Sequence, residues 1–311
     1  MKLQIIKNYI FLFRFDHSIK QIFVIPGILV ALAIGLKTSF FNIIIGFVSI
    51  QLAASSNYII NEWLDKDTDK YNPRKKLRPS VVREVSKRYV YFFYFFTSAS
   101  SIFLSFLIGK NFLNIIIFFL IMGIVYNVKP FRAKDISYLD FIIESVNNPI
   151  RLLLGFNMFN SGFWLPSSII IFYWSAGAFL MACKRYAEYN SLDRNILVKY
   201  RKSFKNYNIN NLLLSIFFTS MLSISMITVF MVKYKIEFIF FIISIAILFL
   251  YYLHITLKPN SEVQNINHLY KDKLLIIIIF FCIIVFITSL IFEFNVIKVL
   301  EKRLEFNLKY Y

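Results

Sequence analysis

Four carboxylates crowd into the eight positions from Glu62 to Asp69, directly after a long apolar run. If one helix continues from that run through this stretch, Asn61, Asp65 and Asp69 stand four residues apart on one face, with Glu62 beside them. Like charges at this spacing repel each other, and the negative end of the helix dipole adds to the repulsion. We therefore expect a bound cation. Mg²⁺ fits best, because it takes oxygen ligands and is often held by one or two carboxylates together with water and phosphate oxygens.

A basic segment follows the acid cluster within a few residues. Arginine offers a planar fork and lysine a point charge to phosphate oxygens, so the two clusters together predict a diphosphate site. The alternative is a polar loop at the water interface in which acids and bases neutralise each other. The predicted metal ligands are Asn61, Glu62, Asp65 and Asp69. The basic cluster that would complement the phosphate oxygens is Arg74, Lys75, Lys76 and Arg78, and within it Arg74, Lys76 and Arg78 are the predicted substrate contacts.

The elements that must position these groups are apolar. Of the 311 residues, 58% are hydrophobic and only 17% are charged, which excludes an ordinary soluble globule. A net charge of +18 would suggest a nucleic-acid partner in a soluble protein, but basic loops are expected beside anionic lipid, so we expect no nucleic acid. Nine apolar segments approach the roughly 20 residues that a membrane helix needs. They are 21–36, 40–62, 89–109, 112–128, 138–158, 163–186, 208–232, 236–256 and 274–292.

The distribution of basic residues predicts the orientation. Lysine and arginine concentrate before the first segment and in the loops that follow the even-numbered segments. By the positive-inside rule these loops and the N-terminus are cytoplasmic. We therefore expect one domain over residues 1–311, a multi-pass protein of the cell (inner) membrane. Its acid cluster opens on the cytoplasmic side, where loops 63–88 and 184–207 cap the site.

The pattern Asn61-Glu62-x-x-Asp65-x-x-x-Asp69 resembles the first aspartate-rich motif of the UbiA superfamily of intramembrane prenyltransferases. That motif is written N-D/E-x-x-D-x-x-x-D, and the basic tail that follows it here is similar too. The resemblance implies an all-α bundle of transmembrane helices with a central cavity open to the cytoplasmic face. It also implies a Mg²⁺-diphosphate site, an isoprenoid lipid substrate and a diphosphate-bearing donor.

A second stretch of the resemblance follows the fourth apolar segment. There Tyr126-x-x-x-Pro130-x-Arg132-x-Lys134 is similar to a Tyr-x-x-x-Pro-x-Arg-x-Lys segment at the same place in the family, which implies that Tyr126, Arg132 and Lys134 contact the substrate. The positive-inside rule alone also predicts basic residues here.

The fifth apolar segment carries a polar stripe. Ionisable groups at membrane depth are costly and usually face a cavity or one another. The stripe therefore either lines a pocket or joins helices, for example through a Glu144–Arg151 pair. Asp140 lies nearest the cytoplasmic face, so we expect it to contact the substrate. The stripe consists of Asp140, Glu144, Asn147, Asn148 and Arg151.

The end of the sixth segment departs from the family pattern. Typical members carry a second D-x-x-x-D motif there, whereas this chain has Lys184-Arg185-Tyr186-Ala187-Glu188. The string resembles the branch typified by decaprenyl-phosphate phosphoribosyltransferase, which implies a polyprenyl phosphate acceptor and phosphoribosyl pyrophosphate as donor. Lys184 and Arg185 would then meet phosphate, and Glu188 would bind a metal ion or act as general base. Alternatively, both cations are ordinary membrane anchors and Glu188 is their partner.

These features predict a transferase with pyrophosphate as the leaving group. Mg²⁺ at Asp65 and Asp69 would neutralise the charge that develops on pyrophosphate, with Glu188 and Lys184 completing the catalytic set. Two alternatives stay open. One is transfer of a polyprenyl group from its diphosphate to an aromatic or other lipid-soluble acceptor. The other is transport of an anionic lipid along the polar stripe.

Overall fold

The computed structural model describes residues 11–72, 75–76, 78–82, 85–160, 162–259, 261–264, 269 and 271–293. Every regular element in these ranges is a helix, which confirms the predicted all-α class. The α-helices are α1 Ile25–Ala33, α2 Phe40–Asp69, α3 Pro79–Val82, α4 Lys87–Ile108, α5 Lys110–Asn127, α6 Leu139–Ser145, α7 Asn147–Asn157, α8 Ser167–Ser191, α9 Arg194–Tyr200, α10 Ile209–Tyr234, α11 Phe238–Leu257 and α12 Lys273–Ile291. Short 3-10 helices cover Phe15–Val24, Ala133–Asp135, Lys202–Asn206 and Glu262–Gln264.

Seven of the described helices, α2, α4, α5, α8, α10, α11 and α12, are long and apolar enough to cross a membrane. The other two predicted spans are divided. Segment 21–36 begins as the 3-10 helix Phe15–Val24 and continues as α1, and segment 138–158 is split into α6 and α7. The second break comes just before Pro149, whose ring has no N–H to donate and is tolerated only in the first turn of a helix. The membrane-type bundle is confirmed, and the number of nine crossings stays a prediction.

The outer surface of the bundle is apolar. Large side chains such as Phe40, Phe106 and Leu250 are more than two-thirds exposed, while serine, asparagine and charged side chains lie buried inside. An apolar patch of this extent would be a liability in water, but it suits contact with lipid.

Small residues bring the central helix α2 close to its neighbours. The Ser49 hydroxyl donates to the Ser101 carbonyl at 3.0 Å, and the hydroxyls of Ser56 and Ser98 lie 2.6 Å apart, which joins α2 to α4. Such small polar contacts are typical of helix interfaces in membranes. A Cβ atom on Gly155 of α7 would lie 2.1 Å from the Val24 carbonyl oxygen, so this glycine lets the N-terminal segment pack directly on α7.

Three parts of the chain meet at one end of the bundle. They are the last turns of α2, the loop between α5 and α6 with its 3-10 helix Ala133–Asp135, and α9 with the following 3-10 helix Lys202–Asn206. Helix α2 begins with an N-cap in which the Ser39 hydroxyl accepts from the Asn42 N–H at 3.1 Å. It then runs unbroken through the acid cluster to Asp69, so the predicted helical spacing of the carboxylates is present.

Candidate functional site

A cavity of about 260 Å³ lies where these three parts meet. Among the residues that the structure describes, its wall carries an excess of positive charge, which favours an anionic ligand. Its carboxylates are Asp65, Asp69 and Asp135, and its cations are Lys75, Lys129, Arg132, Lys134, Arg201 and Lys202.

Asp65 and Asp69, predicted as metal ligands, stand one turn apart on α2 and both line the cavity. Asp65 Oδ1 lies 2.6 Å from Lys134 Nζ and 3.1 Å from Arg132 Nη2. Asp69 Oδ2 lies 2.6 Å from Arg78 Nη1. Each carboxylate is therefore neutralised by a cation of the loops that cover the cavity.

The other two predicted ligands lie behind this wall and do not line the cavity. Asn61 donates its side-chain amide to Asn127, whose Oδ1 also accepts from Lys134 at 3.0 Å. Glu62 is buried, accepts from the Ser80 N–H at 3.2 Å and lies 3.6 Å from Arg14. Among the described residues, no group of three or more acidic, histidine or cysteine side chains is arranged to hold a metal ion.

The loop between α5 and α6 places Arg132 and Lys134, two of the predicted substrate contacts, on the cavity wall. Arg132 has φ of 30°, in the left-handed region that non-glycine residues seldom adopt. Its guanidinium is fixed by Asp135 Oδ2 at 3.0 Å, by the Asn127 carbonyl at 3.2 Å and by Asp65. These contacts hold the unusual backbone conformation and direct the fork of Arg132 at the cavity.

Two lysines at the cavity are easier to deprotonate than usual. The Lys134 side chain is 3% exposed, and burial lowers its pKa to about 8 in spite of the attraction of Asp65. Burial and the neighbouring Arg78 likewise lower the pKa of Lys75 to about 8. Lys75 also contacts the Tyr200 hydroxyl.

The basic segment after α2 contributes unevenly. Arg78 reaches Asp69, and Lys75 of the same basic cluster lines the cavity. Lys76 is exposed and does not line it. Arg74 lies outside the described residues.

A second ionic cluster lies next to the cavity, and we call it the Arg185 hub. Arg185 is 2% exposed, and its three nitrogens each meet a carboxylate. Nε lies 2.7 Å from Asp140, Nη2 lies 2.9 Å from Glu144, and Nη1 lies 3.1 Å from Glu188. Burying one cation among three anions is tolerable only when further donors are supplied.

Those further donors come from Tyr126 and from the segment after α9. Tyr126 donates its hydroxyl to Glu144 at 2.8 Å and accepts from Arg201 Nη2 at 2.7 Å. Arg201 Nη1 lies 3.4 Å from Asp140 Oδ2. Arg201 therefore joins the hub to the cavity, which it also lines.

The hub changes the expectations for α6 and α8. Asp140 is 0% exposed and accepts from Ser203 and Tyr207 as well as Arg185, so it does not reach the cavity wall. The Glu144–Arg151 pair does not form among the described residues, because Glu144 is bound to Arg185 and Tyr126 instead.

Of the Lys184-x-x-x-Glu188 pair, Glu188 is buried on Arg185, whereas Lys184 ion-pairs with no described carboxylate. The cavity residues that sequence reasoning missed are Tyr200, Arg201 and Lys202. The cluster Tyr200-Arg201-Lys202 was visible in the loop expected to cap the site, but no helical spacing relates it to the acid motifs.

Comparison with known proteins gives a consistent result. A model of the UbiA prenyltransferase family matches residues 22–277. Two curated relatives are decaprenyl-phosphate phosphoribosyltransferases. The one from Mycolicibacterium smegmatis is 26% identical over 199 residues, which are 61% of this chain and 59% of that protein. The one from Mycobacterium tuberculosis is 24% identical over 195 residues, which are 61% of this chain and 62% of that protein. The match thus spans about three-fifths of the length of each relative.

Solved structures share the fold. A UbiA homologue from Archaeoglobus fulgidus bound to GPP and Mg²⁺ superposes with a TM-score of 0.69 at 20% identity, over 91% of this chain and 99% of that one. The same homologue bound to DMAPP and Mg²⁺ gives a TM-score of 0.66 at 19% identity, over 90% and 98% of the two chains. The apo UbiA homologue from Aeropyrum pernix gives 0.65 at 18% identity, over 88% and 98%.

Proposed function

This chain belongs to the UbiA prenyltransferase family, and we propose that it is a Mg²⁺-dependent transferase that binds a diphosphate donor in the cavity at the end of α2. One observation carries the proposal. Asp65 and Asp69 face a wall of six described cations in a space of about 260 Å³. The two carboxylates can bind a metal ion and the surrounding cations can bind phosphate oxygens. The site therefore suits a metal-bound diphosphate better than it suits a metal ion alone or an anion alone.

The residues present fit Mg²⁺. The donor set on the cavity wall is made of carboxylate oxygens, and Mg²⁺ usually takes one or two of these and completes its shell with water and phosphate oxygens. Asp65 and Asp69 would hold the ion, and Asn61 stands behind them. When bound, Mg²⁺ would neutralise charge on the departing pyrophosphate. The homologue solved with GPP and Mg²⁺ supports this assignment.

The basic residues supply the rest of the binding energy. Arg132 and Lys134 contact Asp65, and Arg78 contacts Asp69. If Asp65 and Asp69 hold Mg²⁺, these three side chains would be available to donate to the phosphate oxygens of the donor. Hydrogen-bond donors that are in place before negative charge develops on the leaving group stabilise that charge with little reorganisation of the protein.

Residues near the hub complete the site. Glu188 interacts electrostatically with Lys75 and Tyr200, both of which line the cavity. Lys184 makes no ion pair within 4 Å of a described carboxylate, although Glu188 and Glu144 attract it, and it would add positive charge beside the cavity. We assign Lys184 to binding of the donor and Glu188 to proton transfer at the acceptor. Arg185 would position Glu188.

For the donor we favour phosphoribosyl pyrophosphate, with a polyprenyl phosphate as acceptor. The support is the match to two decaprenyl-phosphate phosphoribosyltransferases at 24–26% identity and the replacement of the family's second acidic pair by Lys184 and Glu188. The second candidate is transfer of a polyprenyl group from its diphosphate to a lipid-soluble acceptor, which the homologue bound to GPP favours.

We also propose the placement in the membrane. The nine apolar segments would cross the inner membrane, with the N-terminus and the site on the cytoplasmic side and loops 63–88 and 184–207 over the cavity. The excess of basic residues in the loops on that side supports this orientation.

The test is a Mg²⁺-dependent assay on membranes that contain the protein. One reaction offers labelled phosphoribosyl pyrophosphate with a polyprenyl phosphate, and a parallel reaction offers a polyprenyl diphosphate with aromatic acceptors. Label that moves from the ribose donor into the lipid phase supports phosphoribosyl transfer. Product in the second reaction alone supports prenyl transfer and rejects the first donor. Product in neither, with well-folded protein, rejects both.

A further inference from the structure

Arg151 of α7 is a buried cation that the diphosphate site does not use. It is 5% exposed, and its Nη1 donates to the Asn147 carbonyl at 3.1 Å. Its guanidinium lies 5.3 Å from the centre of the Phe119 ring, and its Nε has no hydrogen-bond partner. No described carboxylate pairs with it. A charge in the interior of a membrane bundle normally faces an opposite charge or a polar cavity. Among the described residues, Arg151 has no such opposite charge.

The surroundings of Arg151 are polar and positive. Tyr58 of α2 and Tyr173 of α8 interact with it electrostatically. Lys20 Nζ lies 5.6 Å from the centre of the Tyr58 ring, and Lys20 interacts electrostatically with Glu144. Asn147 Oδ1 is buried without a partner. We call Arg151, Lys20, Tyr58, Tyr173 and Asn147 the Arg151 cluster.

Nearby acids do not neutralise the cluster. Glu144 lies one turn before Asn147, but its carboxylate is held by Arg185 and Tyr126. Arg151 is therefore buried among hydroxyl and amide groups, with the half-buried Lys20 near Tyr58, and no described carboxylate pairs with Arg151. Since an uncompensated buried charge is strongly unfavourable, the cluster is suited to a ligand that brings the missing negative charge.

The cluster also lies at the right depth. Tyr58 precedes Asp65 by seven residues on α2, so the two side chains share a face and lie about 10 Å apart along the axis at roughly 1.5 Å per residue. A donor whose diphosphate is held at Asp65 would direct its reacting carbon into this interval. A second substrate anchored at Arg151 would meet it from the opposite side.

We propose that the Arg151 cluster binds the oxyanion of the acceptor substrate, separately from the donor diphosphate. The inference rests on the proposed transferase function, because it is that function which requires a second substrate. The shared chemistry is an oxyanion with an apolar body. If the protein transfers a phosphoribosyl group, this oxyanion is the phosphate of a polyprenyl lipid. If it transfers a polyprenyl group, the oxyanion is the carboxylate of an aromatic acceptor.

The test is ligand binding by purified full-length protein in lipid nanodiscs. One pair of probes is a polyprenyl phosphate and the matching uncharged polyprenol, and the other is an aromatic carboxylate and its amide. Wild-type protein should bind one anion of a pair at least tenfold more tightly than its neutral match. Arg151→Gln should remove that preference and Arg151→Lys should restore part of it, because charge-assisted hydrogen bonds are the strong ones. The matched control is Arg88→Gln, at an exposed position on α4, which should behave as wild type.

The outcomes separate the two proposals. Preference for the lipid phosphate or for the carboxylate identifies the source of the oxyanion, and preference for neither overturns the inference. Unchanged anion binding by Arg151→Gln also overturns it. If Arg151→Gln does not fold, Lys20→Gln replaces it and should weaken the same anion severalfold. Donor binding with Mg²⁺ should stay within about twofold in all these variants. Loss of donor binding in wild-type protein would reject the proposed function while the anion result still stands.

Discussion

Donor binding should weaken as pH rises through 8, because Lys134 titrates there. Lys134 is 3% exposed beside Asp65, and burial lowers its pKa to about 8 from an ordinary value near 10.5. That difference corresponds to about 3 kcal/mol of preference for the neutral amine. A bound diphosphate stabilises the ammonium and so raises the pKa again. Binding therefore takes up a proton, and affinity is highest below pH 8.

The magnitude follows from the fraction of charged lysine. With a pKa of about 8, roughly 90% of Lys134 is protonated at pH 7 and roughly 10% at pH 9, so donor affinity should fall about ninefold over that interval. Lys75, whose pKa is also about 8, makes the decline steeper if both lysines contact phosphate. Phosphate groups have a second pKa near 6, so the donor itself contributes little in this range.

The assay is equilibrium binding of the donor at fixed free Mg²⁺ between pH 7 and 9, with proton uptake measured in buffers of different ionisation enthalpy. Lys134→Arg keeps its charge throughout and should flatten the decline to the part that Lys75 causes. Lys199→Arg, at an exposed position on α9, is the matched control and should follow wild type. An affinity that does not change with pH, or a Lys134→Arg variant with the wild-type profile, would refute the assignment of Lys134 to the donor.

Three further predictions follow from the geometry. Asp65→Asn should lower turnover at least a hundredfold in the membrane assay without unfolding the protein. Asp67→Asn, on the exposed side of the same helix, should retain activity. Equal activity of the two variants would reject the metal site. Arg185→Gln removes the cation shared by two buried carboxylates, Asp140 and Glu188, and by the partly exposed Glu144. It should destabilise the protein by about 3–5 kcal/mol, seen as a lower midpoint of thermal unfolding, and an unchanged midpoint would contradict the hub. Gly155→Ala places a Cβ atom 2.1 Å from the Val24 carbonyl oxygen and should destabilise by about 1–3 kcal/mol in the same measurement, and wild-type stability would show that this close approach is absent.

The placement of the predicted residues shows where local patterns were sufficient. Asp65 and Asp69 were expected on one face because a helix repeats every 3.6 residues, and α2 carries them to the same cavity. Glu62 is only three residues from Asp65, yet it packs on Ser80 and Arg14 instead. Helical spacing determines which face of the helix a side chain lies on. The neighbouring segments determine which groups that side chain contacts.

Other features depended on segments far apart in the chain. Arg185 collects carboxylates from α6 and α8, and Arg201 arrives from the segment after α9. No spacing in the sequence relates these positions, because they are separated by tens of residues and brought together by the packing of whole helices. The pairing of Glu144 with Arg151, one of the two possibilities considered for the stripe, is not present because Arg185 holds Glu144 across the interface of α6 and α8.

By itself, the sequence determined the class of the protein, the all-helical membrane bundle and the chemistry of the acid cluster. These depend on the apolar content of each segment and on helical periodicity, which act over short stretches of chain. The tertiary structure alone decided which carboxylates meet cations, which lysines are buried enough to have a lowered pKa, and that no described carboxylate pairs with Arg151. The physical reason is that burial and electrostatic partnership are properties of the space between helices, and that space exists only after distant segments have packed.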